Sequence, residues 1–319
     1  MLNELKFINS AVARKDYVQA LQHVKIDKKT VRAYNGLIGL CCPIDLDLDI
    51  TPRADQFLKA IQTCEDTIAL HVTSKGKLSI KSGQFKALVE CIDTEQFPEI
   101  TPEGEFVKLT GNFLNAVKVL APFISDDASR PWSRGILFKG QSAYATNNII
   151  LVESWLGFTF PLTVNIPRSA VNELLRINEE PEQIQVTSNR LTFHFSGGRW
   201  LCCQTLSVEW PDLQKVLNVA SNPVPAPAGM VKALESLAPF TDKLERVFIT
   251  ADGKLQTSLT EDSEGASFEL PTVTFQGCYN YKHLLTVLEV AKKIDFTQYP
   301  APCLFYGDNI RGAIIGMRL

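Results

Sequence analysis

The side chains of this chain that could carry chemistry are few and poorly placed for catalysis. Asp45, Asp47 and Asp49 alternate within the stretch from Pro43 to Ile50. In an extended strand a period of two puts all three carboxylates on one face, where they could hold a hard divalent cation. Like charges in a row also keep a second strand from pairing at an open edge, and that is the reading we favour. The four histidines, His23, His71, His194 and His283, have no His-x-x-x-His spacing and no Gly-x-Ser-x-Gly elbow nearby. His194 sits in an alternating stretch and reads as a surface or packing residue. Eight cysteines (Cys41, Cys42, Cys64, Cys91, Cys202, Cys203, Cys278 and Cys303) form no Cys-x-x-Cys pair, and neighbours such as Cys41 and Cys42 point to opposite faces of a strand. They read as small buried thiols. No phosphate-cradling loop ending in Gly-Lys-Ser or Gly-Lys-Thr occurs. The expectation is a protein that is not an enzyme and holds neither metal nor cofactor.

The cations are better organised. Lys6, Arg14, Lys15, Arg53, Lys59, Lys118, Arg168, Arg176, Lys232, Lys282, Lys292 and Lys293 lie in or beside helix-patterned segments, interrupted by Glu4, Asp55, Glu173, Glu235 and Glu289. On one helix such charges mark the solvated face. Repeated on several helices that share a side, they make a strip able to face phosphates without touching a base edge. A formal net charge of −3 argues against a surface that is basic all over.

The elements that position these residues are repeated. Thr51-Pro52-Arg53 returns as Ile166-Pro167-Arg168, Val72-Thr73-Ser74 as Val186-Thr187-Ser188, and Phe97-Pro98-Glu99 as Trp210-Pro211-Asp212, at offsets of 115, 114 and 113 residues. Leu120-Ala121-Pro122-Phe123 recurs 117 residues later as Leu237-Ala238-Pro239-Phe240. One unit is therefore used three times, with boundaries near 103 and 222, giving 1–103, 104–222 and 223–319. The second boundary falls in the proline-rich stretch Asn222 to Pro227, which reads as a stiff extended connector.

Each unit opens with a helix: Leu5, Ile8 and Val12 share one face, as do Leu114, Val117 and Ala121, and Val231, Leu234 and Ala238. Pro122 and Pro239 should stop the second and third of these. A second helix is expected from Pro52 to about Cys64, Pro167 to about Ile177 and Asn280 to about Lys293, with proline in the first turn of the first two. Strands follow the opening helices, including an Arg246–Thr250 hairpin turned at Asp252-Gly253, and paired strands close each unit. The fold class is α+β. With no basic leader and no run of about 18 apolar residues, a soluble cytoplasmic protein is expected.

Longer segments resemble a known family. Ser82-Gly83-Gln84-Phe85-Lys86-Ala87-Leu88 leading to Phe97-Pro98-Glu99, then Ser129 to Leu137, Tyr144 to Asn148, Ile166-Pro167-Arg168 and the ending Met317-Arg318-Leu319, are similar in order to the bacterial sliding clamp, the DNA polymerase III beta subunit, in a divergent or phage-encoded form. The resemblance implies three repeated DNA-clamp domains per chain and a ring-shaped head-to-tail homodimer. Helices would line a central channel around double-stranded DNA, with sheets outside. It implies a DNA replication role as a processivity factor, with a DNA polymerase, a clamp loader that uses ATP, and other proteins carrying a clamp-binding motif as partners, and no membrane.

The DNA-facing residues implied are Lys6, Arg14, Arg53, Lys59, Lys118, Arg130, Trp132, Arg168, Arg176, Lys232 and Lys282. The implied partner-peptide pocket is Ser133, Thr146, Asn148, Ile149, Ile150, Leu151, Pro211, Lys215, Val216, Ile314, Ile315, Gly316, Met317, Arg318 and Leu319, and the implied dimer contact is Phe85 and Ala87 against Pro239 and Phe240. Two departures stand out: Asn147-Asn148-Ile149-Ile150 replaces the usual Asp-Gly-His-Arg, and Gly316 replaces a proline, so the pocket is greasier. The alternatives are a repeat-built β-rich scaffold, such as a virion or adhesion component, that never meets DNA, and an enzyme acting on nucleic acid.

Overall fold

The computed structural model describes residues 1–260 and 264–318. Its helices are α1 (Leu2–Ile8), α2 (Ala54–Thr63), α3 (Phe113–Leu120), α4 (Arg168–Ile177), α5 (Gln214–Leu217), α6 (Met230–Leu237) and α7 (Tyr281–Val290). The chain divides into two compact units: Met1–Thr110 with Ser169–Thr205, and Gly111–Arg168 with Leu206–Leu319. The middle repeat thus contributes to both.

In the first unit a seven-stranded antiparallel sheet runs Lys25–Asp27, Thr30–Tyr34, Ile38–Pro43, Trp200–Gln204, Arg190–His194, Gln183–Val186, Glu105–Lys108. Its central seam joins the first repeat to the second, with Leu40 opposite Leu201 and Cys41 opposite Trp200. The second unit repeats this device. Its eight-stranded sheet joins Ile150–Trp155 of the second repeat to Ile310–Ile314 of the third, with Leu151 opposite Ala313. The seam strands of the first unit are covered on both faces, since Ile38 to Cys42 and Trp200 to Cys203 are buried without interruption.

The helices bury the faces that their spacing dictates. α2 covers Phe57, Ala60 and Ile61, and α4 covers Ala170, Val171 and Leu174. α3 and α6 end at Leu120 and Leu237, and each proline sits inside a following 3₁₀ turn, Ala121–Phe123 and Ala238–Phe240. α1 is shorter than its pattern. Val12 is extended, because Ala13 donates its amide to Leu21 O at 2.9 Å and the chain leaves the helix axis to close a loop.

Three local expectations need correction. Pro52 and Pro167 close strands (Thr51–Pro52 and Val164–Pro167) rather than entering helices, and Pro52 O still accepts from Val24 N at 3.1 Å. Residues 44–49 form no strand, since Pro43 ends the ladder; the three aspartates are nonetheless exposed, alternating with buried or half-buried Ile44, Leu46 and Leu48. The Asn222–Pro227 connector is in part an edge strand, with Val224–Pro225 pairing to Lys293–Ile294. The Arg246–Thr250 hairpin forms as expected, with Gly253 at φ 82°. Six cysteines are buried, Cys64 and Cys91 are partly so, and all eight are free thiols.

Asp295 anchors that connector. It is 1% exposed and accepts from Asn222 N (2.8 Å), Ser221 Oγ (3.2 Å), Thr297 N (3.1 Å), Thr297 Oγ1 (2.5 Å) and Gln298 Nε2 (3.3 Å). Burial alone would raise its pKa, but hydrogen bonds from Thr297, Asn222 and Gln298 outweigh that and hold it below the ordinary carboxylate value. A depressed folded pKa gives stability that is present above the unfolded value of about 3.9 and is lost as pH falls through the folded one. Asp295→Ala is expected to cost about 2–3 kcal/mol at pH 7, read from urea unfolding, with the gap to the parent narrowing below pH 4.

Candidate functional sites

An apolar groove of about 220 Å³ opens in the second unit. Strands Ser142–Thr146 and Ile150–Trp155 supply its floor through Thr146, Ile150 and Leu151. The turn between them is fixed by its own polar groups. Asn147 Oδ1 accepts from Ile149 N (3.1 Å) and Ile150 N (2.7 Å), while Thr146 Oγ1 donates to Ile150 O (2.7 Å) and accepts from Asn148 N (3.0 Å). Asn148 adopts φ 71°, a left-handed backbone that asparagine tolerates, and its amide donates to the fully buried Ser133 Oγ at 3.3 Å. Ile149 and Ile315 form an exposed lip, tied by Ile315 N donating to Ile149 O at 3.0 Å.

The opposite wall is Pro211, Asp212, Leu213 and Val216, carried on or just before α5. A four-residue helix cannot hold itself in water, so something must pin it. Arg311 does so. Its guanidinium donates to Asn218 Oδ1 (3.1 Å), Leu217 O (3.5 Å) and Gln214 Oε1 (3.4 Å), while Nε pairs with Glu153 at 2.5 Å. Glu153 also accepts from Tyr144 OH at 2.8 Å, and burial together with that carboxylate pushes the phenol up to about 12. Leu137, Tyr144, Leu151 and Leu217 pack beneath, against Leu213 and Val216.

A second depression of about 330 Å³ shares the Ile149–Ile315 lip and is more polar, lined by Lys243, Glu245, Asn280 and His283 beside Ile314 and Met317. Burial lowers the His283 pKa, with Glu245 opposing, so the ring favours its neutral form. The chain end is held here by Met317 N donating to Cys278 O and Tyr299 OH donating to Met317 O, both at 2.7 Å. Gly316 is glycine for a visible reason. A Cβ there would lie 2.6 Å from the Tyr299 ring, so proline would displace it.

Of the expected pocket residues, the structure gathers Thr146, Asn148, Ile149, Ile150, Leu151, Pro211, Val216 and Ile315 at the groove, and puts Ile314 and Met317 at the second depression. Ser133 acts from beneath through Asn148. Lys215 points to solvent, its ammonium 3.8 Å from Asp212, Arg318 is exposed, and Leu319 lies outside the described residues. Arg130 and Trp132, expected to face DNA, line the groove. Sequence reasoning missed Leu213, Ala313, Lys243, Glu245, Asn280 and His283; the Asn280 helix cap was the one available signal.

The cations fall into two sets. Lys6, Arg14, Lys59, Lys118, Arg130 and Lys232 are exposed, and among the described residues none has an ion-pair partner. The others are engaged: Arg53 with Asp55 (3.2 Å), Lys282 with Glu245, Arg168 with Asp126 (3.2 Å) and with Ile124 O, and Arg176 with Glu173, with Phe7 O (2.8 Å) and over the Phe7 ring. Among the described residues no cluster of three or more His, Cys, Asp or Glu could hold a metal, and no helix is long and apolar enough to cross a membrane.

Compared with solved structures, the whole chain superposes on bacterial β clamps. A Helicobacter pylori β clamp bound to a DNA ligase peptide gives a TM-score of 0.85 at 18% identity, covering 100% of this chain and 97% of that one. A C. crescentus β sliding clamp gives 0.85 at 17% and the Streptococcus pyogenes DNA polymerase beta subunit 0.83 at 16%, with the same coverage. The chain has the sliding-clamp fold. No family model and no curated protein matches the sequence.

Proposed function

We propose that the protein is a non-enzymatic DNA sliding clamp: two chains, each contributing repeats 1–103, 104–222 and 223–319, close head to tail around duplex DNA and tether a polymerase and other partners through the groove. The observation that carries this is the apolar groove of the second unit, on a chain whose full length follows the clamp fold. Its shape suits an extended peptide that inserts one or two apolar side chains beside α5 and lays a polar residue over the second depression. Arg311→Ala should free α5 and weaken such a peptide about tenfold in isothermal titration; an unaltered affinity would detach α5 from the site.

Unpaired cations supply the DNA contact. Lys6, Arg14, Lys59, Lys118 and Lys232 can each meet a phosphate, whereas Arg168 and Arg176 must first leave a carboxylate. Each unit also leaves a strand edge open, Phe85–Val89 in the first and Ser267–Glu269 in the second. Lys86 lies on one edge strand opposite Lys81, Glu269 lies on the other with Glu264 just before it, Leu88 (54% exposed) is on the first edge strand, and Phe240 (56%) lines a hollow together with Glu264. Opposite charge favours joining unlike edges of two copies, with Phe85 and Ala87 meeting Pro239 and Phe240. Sedimentation over a range of concentrations should give a dimer, and Ala87→Lys should shift it towards monomer.

A further inference from the structure

The loop that follows α1 leaves the first unit's core and is closed by Ala13 N donating to Leu21 O. Its tip is Tyr17, 105% exposed. The tip is shaped by its own side chains: Asp16 Oδ1 accepts from Val18 N at 2.8 Å, and Gln22 Nε2 donates to Asp16 O at 3.1 Å. A tyrosine ring held wholly in water adds nothing to the core and is available to a ligand.

Two cavities adjoin the loop. One, of about 620 Å³, is lined by Lys6, Arg14, Arg53 and Arg176; Asp55 and Glu173 neutralise the last two, leaving two unpaired positive charges. The other, of about 450 Å³, is lined by Tyr17 with the carboxylates of Asp16 and Glu90, and it shares Gln22 and Arg53 with the first. A cationic hollow joined to one with an aromatic wall and hydrogen-bond acceptors matches the two ends of a nucleotide. The phosphate fits the first, and a base with an exocyclic amine fits the second, stacked on Tyr17. Duplex DNA offers phosphates but keeps its bases stacked inside, so it can fill only the first hollow. We infer that this loop binds an unpaired nucleotide of a single DNA strand, beyond any contact that a clamp makes with duplex.

The test is fluorescence anisotropy on the full chain, using a short labelled oligodeoxycytidylate and a blunt hairpin duplex closed by a non-nucleotide linker, so that it carries no unpaired base. Tyr17→Ala should weaken the single strand about tenfold and leave the hairpin unchanged, Tyr17→Phe should bind like the parent, and Arg14→Glu should weaken both. Because Tyr17 is exposed, these variants should keep the parent's circular dichroism. A Tyr17→Ala protein that holds the single strand as tightly as the parent, or that loses both probes equally, overturns the inference, as does a parent that binds no single strand. None of these readouts requires a closed ring, so they fail or succeed independently of the clamp reading.

Discussion

Val216→Asp should abolish partner binding, with the affinity of a hydrophobic clamp-binding peptide falling at least 100-fold in isothermal titration. Val216 stands on α5 facing the groove and packs, half-buried, against the Leu137–Tyr144–Leu151–Leu217 cluster. A docked peptide would seal a carboxylate there with no donor to meet it. Burying an unpaired charge costs about 3 kcal/mol or more even after relaxation, which is about 100-fold in the binding constant. In the free protein the side chain can turn to water, so melting should shift by only a few degrees. Ile315→Asp at the exposed lip should act the same way, because Ile315 borders both depressions. A peptide that still binds either variant with parental affinity would place the docking surface elsewhere.

The second large effect concerns DNA. Lys6→Glu, Lys118→Glu and Lys232→Glu together should remove most duplex affinity and flatten its salt dependence. Each lysine is exposed and none has an ion-pair partner among the described residues, so reversal breaks no contact within the fold. Each phosphate contact releases counterions and contributes roughly 0.9 to the slope of log K against log salt, so three lost contacts should lower it by about 2.7 per chain. Anisotropy with a labelled duplex at several salt concentrations reads this directly. Arg168→Glu is a poor substitute for this test. It would break the link to Ile124 O as well as the Asp126 pair, confounding affinity with folding.

What the sequence disclosed and what it concealed follow from the range of the interactions. The repeats were legible because each copy must satisfy the same local demands, and Pro122-Phe123 and Pro239-Phe240 end their helices in the same 3₁₀ turn. The pairing of Ile38–Pro43 with Trp200–Gln204 was not, since it joins residues some 160 positions apart and either strand would suit another neighbour equally well. In the groove, the strand residues Thr146 to Leu151 were found, but α5 is only four residues long and has no periodicity to betray it. Its support, Arg311, is a lone arginine in a strand whose role appears only when Glu153 is brought opposite it. The cations were identified by type. Their engagement was not, because Arg168 finds Asp126 across 42 positions of chain.

The central claim is enclosure of duplex DNA by two chains, and retention on DNA of different topology tests it most directly. The protein is incubated with nicked circular plasmid, a clamp loader and ATP, freed of unbound chains by gel filtration in high salt, and followed after a single-cut nuclease linearises the circle. The account predicts that it stays with the circle as a dimer and runs off the ends once they exist, with bulky end blocks restoring retention. Equal loss from circular and linear DNA, or retention that ignores the cut, would contradict it.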